Sequence, residues 1–245
     1  MKAKKILIIS ALPILALTAC QKSEYEDDSG RLNLRTDFEV ADTLESTNES
    51  AKVILLYGQS NATGCSSVDY LKKTDAVNYE FFKKGVDKVK INFNCENFSN
   101  YSSSFMNVSL SQGAFGGNFG PELGIALQMN RNVEQDIFII KYTYGGTSLA
   151  NQWLNGKGDR GGLYNASLGM TKASLDYLLS KGYKLDIMGI CWMQGENDAG
   201  LGYKGYYDNT KNLANYYRND LKNYDSSIKF VDAYISTVWD NYEYI

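Results

Sequence analysis

Val53-Ile-Leu-Leu-Tyr57 runs without interruption into Gly58-Gln-Ser-Asn-Ala-Thr-Gly64, so an apolar run of strand length ends in a turn that carries the hydroxyl of Ser60. Three other runs have comparable length and β-branched content: Asp136 to Tyr142, Asp186 to Met193 and Ile228 to Ile235. All four read as strands buried on both faces. Helical patterns lie between them. Gly120-Pro121-Glu122 opens one, with proline in the first turn and a carboxylate at the positive end of the helix dipole, and this helix should run to about Asn130. Leu168, Leu175, Leu178 and Leu179 recur at helical spacing before the stop at Lys181-Gly182. Tyr206, Thr210, Leu213, Tyr217 and Leu221 form a third stripe, read as core contacts. Strands alternating with helices imply right-handed crossovers and a three-layer α/β/α domain around a mostly parallel sheet, with ligands expected beyond the carboxyl ends of its strands. The Tyr-, Asn- and Ser-rich stretch from Val68 to Gln112 fits less well. It reads as an insertion lining the cleft, with Val89 to Phe93 as an extra strand.

Outward from this domain, the N-terminus begins Met1-Lys-Ala-Lys-Lys5 and continues from Ile6 to Ala19 almost without polar side chains, the pattern of a secretion signal over residues 1–19. The apolar run is shorter than the ~20 residues that span a bilayer. It ends Leu17-Thr-Ala-Cys20, which resembles the bacterial lipobox, in which the cysteine is lipidated; more than one acyl chain gives a stable anchor. The expected location is therefore outside the cytoplasm, lipid-anchored in a bacterial membrane, periplasmic or at the cell surface, with the lipid as the sole membrane contact. Gln21 to Ser50 is polar and poor in large apolar groups, so residues 20–50 read as a lipidated cysteine with a flexible tether. Residues 51–245 are then the folded domain. Removing residues 1–19 takes Lys2, Lys4 and Lys5 from the 25 basic residues and leaves 22 against 28 acidic ones, a balance that argues against a nucleic-acid partner. Beyond Cys20 stand Cys65, Cys95 and Cys191, an odd set without paired spacing, and the chain has no histidine, so neither a metal site nor a cofactor is expected. Cys191 lies in an apolar run. A Cys65–Cys95 disulfide is compatible with export, though spacing alone does not establish it.

Chemistry is concentrated where the predicted strands end. Ser60 occupies the place of a nucleophile, although Ala62 departs from the G-x-S-x-G elbow and such a turn by itself is commonly only a turn. The second long strand exits into Tyr144-Gly-Gly-Thr-Ser-Leu149, followed by Trp153. Its successive glycines let backbone N–H groups approach a ligand closely, as an oxyanion hole requires, or simply make a tight turn. The third exits into Trp192-Met-Gln-Gly-Glu-Asn-Asp198. All three turns would meet at one edge of the sheet.

Taken in order, Gly58-Gln-Ser-Asn61, Phe119-Gly-Pro-Glu122, Gly145-Gly-Thr-Ser-Leu149 with Trp153, and Trp192 to Asp198 resemble the sialate O-acetylesterase-like branch of the SGNH hydrolases, which includes the family-six carbohydrate esterases such as acetyl xylan esterases. The resemblance covers roughly Lys52 to Tyr234. It implies the flavodoxin-like SGNH fold and a serine esterase that removes O-acetyl groups from a carbohydrate, a sialic acid or a xylan-type glycan, through an acetyl-enzyme on Ser60. It also implies that the ester oxygen is met by the backbone N–H of Ser60, a backbone N–H of Gly145 or Gly146, and the side-chain amide of Gln194. Gln59, Asn61, Glu196 and Asp198 would tie the turns together, and Trp153 and Trp192 would either offer a face to a sugar ring or pack in the core.

Members of this branch carry an Asp-x-x-His near the C-terminus, whereas this chain has no histidine. A serine hydroxyl is a poor nucleophile without an adjacent base, and an ordinary carboxylate is a weak one at neutral pH. The expectation is that the sequence stops short of the final part of the domain, which would supply the histidine. A glycan-binding surface lipoprotein without turnover is the alternative. A thioesterase or lipase of the wider group would want a more apolar acyl channel than the polar Val68 to Gln112 segment offers.

Overall fold

The computed structural model describes residues 32–235. The signal segment, the lipidation at Cys20 and the last ten residues lie outside the described residues. The chain starts its sheet with β1 (Ser50–Gly58), which feeds the four-residue α1 (Ser60–Thr63). Next come β2 (Ser66–Ser67), α2 (Val68–Thr74), α3 (Ala76–Lys83), β3 (Val86–Cys95), β4 (Asn100–Tyr101), β5 (Met106–Val108), β6 (Asn118–Phe119), α4 (Pro121–Asn132) and β7 (Asp136–Thr143). A single π-helical turn at Leu149–Trp153 then precedes α5 (Gly162–Ser180), β8 (Lys184–Met193), α6 (Glu196–Gly200), α7 (Tyr206–Leu221) and β9 (Lys229–Asp232).

The main sheet has the order β4-β3-β7-β1-β8-β9, with β5 also on β3; β3, β7, β1, β8 and β9 are parallel, and β4 and β5 run antiparallel. The fold is the expected α/β one, a mostly parallel sheet flanked by helices. Along β1 the side chains divide between two cores. Val53, Leu55 and Tyr57 pack with Leu163, Met170, Leu175 and Leu178 of α5 and with Leu213, Tyr217 and Leu221 of α7. Ile54 and Leu56 pack on the opposite face with Leu123 and Ala126 of α4 and Phe82 of α3. Central strands covered on both sides read as continuous apolar runs, which is why β1 and β7 were visible in the sequence.

Three expectations are corrected. β3 is a ten-residue strand paired in parallel with β7 from Val89↔Ile137 to Cys95↔Thr143, an integral member of the sheet rather than an extra strand in an insertion. Its apolar pattern is broken by Asn92 and Asn94, which are buried but satisfied: Asn92 bonds Ser174 and Ser102, and Asn94 bonds Glu96. The fourth predicted strand shrinks to Lys229–Asp232 and is not buried on both faces, since it is the sheet edge and Val231 is 57 % exposed.

The third correction concerns the tether. Residues 32–49 lie along α5 as an extended strap, with Leu32, Leu34, Phe38, Val40 and Leu44 packed on the core. The strap runs beside α5 in the same direction: Leu34 is close to Gly162, Phe38 is close to Gly169, the amides of Thr43 and Leu44 bond the Tyr177 hydroxyl, and Thr47 N bonds Lys181 O at 2.7 Å. On its other side Ala41 N bonds Ser103 O at 2.7 Å and Phe38 meets the Tyr142 ring edge-on at 6.2 Å. It therefore fills the groove between α5 and the β3 edge. A chain starting at Ser50 is expected to lose roughly 3 kcal/mol or more of stability by urea denaturation, given the apolar surface uncovered. An unchanged midpoint would show the strap to be a passive tail.

Candidate active site

Parallel register brings the ends of three strands level, with Tyr57 opposite both Tyr142 and Trp192, and Gly58 opposite both Thr143 and Met193. The chain can turn sharply after β1 because residue 58 is glycine: its φ is +149°, and a Cβ there would fall 2.0 Å from Met193 O. Gln59 N bonds Met193 O at 3.0 Å, and Ser60 then opens α1, half-buried, with Gly64 N returning to Ser60 O at 2.9 Å. The Ser60 hydroxyl has no hydrogen-bond partner among the described residues.

The groups expected to tie the turns meet around this serine. Asn61 donates to Glu196 Oε1, joining α1 to α6. Asp198, fully buried, accepts from Leu149 N at 2.8 Å, Ala150 N at 3.3 Å and Gln194 Nε2 at 2.6 Å, and so anchors the start of the π-helical turn. Burial holds its carboxyl above the ordinary aspartate range, and these three donors offset only part of that rise. Gln59 Oε1 accepts from Gln194 Nε2 at 3.2 Å, and the Tyr206 hydroxyl, itself receiving Trp192 Nε1–H at 3.1 Å, donates to Gln194 O.

The structure places two expected oxyanion donors elsewhere. Gln194 is 1 % exposed, and its Nε2 faces Asp198, the Thr147 carbonyl at 2.9 Å and Gln59. Two amide hydrogens surrounded by three acceptors leave none for a substrate oxygen. Gly145 N is likewise occupied, donating to Asn97 Oδ1 at 2.9 Å. The backbone N–H groups of Ser60 and Gly146 make no hydrogen bond among the described residues. Gly146, exposed with φ +73°, would have nothing within 4 Å of a Cβ. Trp153 and Trp192 are not sugar platforms: both are fully buried and pack edge to face at 4.8 Å. The Cys65–Cys95 pair is not a disulfide. Cys65 Sγ donates to Ser60 O at 3.7 Å and Cys95 Sγ to Gln112 O at 3.9 Å, with burial pushing both thiols up.

The buried pairing of Lys141 with Glu122 escaped the sequence reading, which placed Glu122 only at the start of a helix. Lys141 Nζ donates at 2.8 Å to Thr63 O, to Gln112 O and to Glu122 Oε2, and both side chains are fully buried. Glu122 Oε1 accepts from Gly120 N at 2.6 Å. The cluster pins the end of α1 to the 112–113 loop and to the start of α4. A lysine inside a strand read as buried on both faces was the available signal, because a buried charge has to have a partner. Beside the nucleophile turn a cavity of about 650 Å³ opens, lined by Asn61, Cys65, Pro121, Met193, Glu196 and Tyr234 among others.

A serine turn at the carboxyl end of a central parallel strand, flanked by a Gly-Gly turn and a buried Gln–Asp tie, defines an α/β ester hydrolase. More particularly, the profile of the family described as carbohydrate esterase, sialic acid-specific acetylesterase matches residues 50–242, and the chain belongs to this family of ester-hydrolysing enzymes. Among solved structures it is similar to a protein from Arabidopsis thaliana, with 18% identity, TM-score 0.54, and 75% of this chain and 74% of that one covered. It is similar also to NanS, with 16% identity, TM-score 0.55, and 81% and 71% covered. Both show the fold. No curated protein matches the chain.

Proposed function

We propose that the chain removes O-acetyl groups from a carbohydrate, a sialic acid or a xylan-type glycan, through an acetyl-enzyme on Ser60. Ser60 Oγ attacks the acetyl carbonyl and gives up its proton, the negative charge that develops on the carbonyl oxygen is met by the Ser60 and Gly146 N–H groups, and the bond from the acyl carbon to the sugar oxygen breaks as that oxygen takes up the proton the serine released. Water then attacks the acetyl-serine, releasing acetate and restoring the hydroxyl. The observation that carries this reading is the unpartnered Ser60 hydroxyl at the strand end, within a family of carbohydrate esterases. The base is the open role. No residue of the 245 is histidine, and the carboxylate bordering the turn is Glu196, whose Oε2 is buried with no hydrogen-bond partner among the described residues. A carboxylate base predicts slow turnover at neutral pH.

The lipobox-like Leu17 to Cys20 supports a lipid-anchored, exported protein acting on glycans outside the cytoplasm. The test is to incubate the chain with acetylated xylan and with an O-acetylated sialic acid, quench in acid, and map peptides for acetyl on Ser60 while assaying free acetate. Acetate release with the acetyl group on Ser60 is the expected result. The absence of histidine favours one other reading, a glycan-binding lipoprotein without turnover. Saturable binding of the same glycans with no acetate released and no labelled serine would select it.

A further inference from the structure

A carbohydrate esterase needs an apolar surface for the C–H face of the sugar ring, and the two tryptophans beside the motifs are buried. Two large rings among the described residues stand open near the carboxyl ends of the strands: Tyr234, 87 % exposed, past β9 on the rim of the cavity, and Phe115, 59 % exposed, in the loop between β5 and β6. This loop is tied to the nucleophile turn, since Ala114 N donates to Gly64 O at 2.9 Å, and Gly64 N in turn to Ser60 O at 2.9 Å. It is also held in shape: Asn118 N bonds Phe115 O at 2.8 Å, Gly113 N bonds Asn118 O at 3.0 Å, and Val68 N bonds Gly117 O at 3.0 Å. The Phe115 ring meets Phe98 at 5.1 Å and 78°. Phe98 in turn lies against the oxyanion turn, where a Cβ on Gly145 would be 3.2 Å from its ring, and the adjacent Asn97 holds the Gly145 amide. The Phe115 loop is thus tied by its backbone to the serine turn and by its ring, through Phe98, to the Gly145–Gly146 turn. Past Phe115, Gly116 and Gly117 have nothing within 4 Å of a built Cβ, so these two positions are uncrowded.

Phe115 leaves more than half of its surface in water while its edge-on contact with Phe98 fixes the ring, and a ring so held presents area at little entropic cost. We propose that the exposed face of Phe115, backed by Phe98, is the platform on which the pyranose ring of the substrate stacks while its acetyl ester reaches Ser60. This rests on the esterase reading and names the residue that selects for a sugar. Phe98 is a positioning residue that couples the platform to the oxyanion turn.

The test compares an acetylated xylo-oligosaccharide and a 9-O-acetylated sialic acid with ethyl acetate, which has no ring to stack. Phe115→Ala is expected to lower kcat/KM for the better sugar ester about tenfold relative to that for ethyl acetate, through KM, and Phe115→Tyr to restore the ratio. An unchanged ratio overturns the proposal, as does an equal fall for both substrates, which would make the ring a support of the Gly145 turn only. If the chain releases no acetate from any of them, the esterase reading fails separately, and calorimetry of the same sugars with wild type and Phe115→Ala decides the platform. A roughly tenfold weaker Kd sustains it; an unchanged Kd, or no binding of either sugar to wild type, overturns it.

Discussion

Replacing Ser60 by alanine is expected to abolish acetate release, a fall on the order of 10³ or more, while leaving the melting temperature within about 1 °C of wild type. The asymmetry follows from the geometry. The Ser60 hydroxyl makes no hydrogen bond among the described residues, so its removal orphans no buried group. α1 keeps the Gly64 N to Ser60 O bond, and the backbone N–H of residue 60 stays where it is. What disappears is the atom that forms the acyl bond. Binding of the acetylated sugar should survive, so calorimetry on Ser60→Ala isolates recognition from chemistry. Acetate release retained at a tenth or more of the wild-type rate would move the nucleophile elsewhere and end the proposed mechanism.

The second large effect is on stability. Lys141→Ala is expected to cost about 3–5 kcal/mol in urea denaturation, the range for breaking a buried ion pair by removing one partner. Its ammonium group serves Thr63 O, Gln112 O and Glu122 Oε2, and its loss leaves the Glu122 carboxylate buried with the Gly120 amide as its remaining bond. The double replacement Lys141→Met with Glu122→Gln should recover a substantial part of that loss, because it removes both charges and keeps most of the volume. Thr63 closes α1, so the single variant should also loosen the nucleophile turn and slow any turnover. A loss below about 1 kcal/mol for Lys141→Ala would mean that water replaces the ammonium and that the cluster is not a structural pin.

The strands that could be recognised in advance were those whose local sequence reports their surroundings. β1 and β7 sit in the middle of the sheet with helices on both faces, so nearly every side chain has to be apolar. β3 pairs along most of its length with β7, but two of its inward positions are asparagines whose partners are Ser174, 82 residues on, and Glu96, just past the strand end. No local pattern announces such partners. The strap was missed for a related reason. Leu32, Leu34, Phe38, Val40 and Leu44 alternate with the period of an extended chain, but Thr36 and Asp42 interrupt the pattern among polar neighbours, and the groove that receives it is built by α5, far along the chain.

The active site divides along the same line. That strands and helices alternate, that the hydroxyl of Ser60 stands at a strand end, and that the Gly145 and Gln194 turns lie at the same edge all follow from residue order, because side-chain period and strand direction are local properties. Which donor remains free does not. Gln194 is consumed by Asp198, Thr147 and Gln59, Gly145 by Asn97, and Lys141 by carbonyls 78 and 29 residues away. Trp153 and Trp192 are drawn into the core, and Phe115 is left at the rim. Each outcome is a competition among buried polar or apolar groups that come together only when the sheet closes, so the fold class and the place of Ser60 at a strand end belong to the sequence, and the assignment of donors, ties and exposed rings belongs to the tertiary structure.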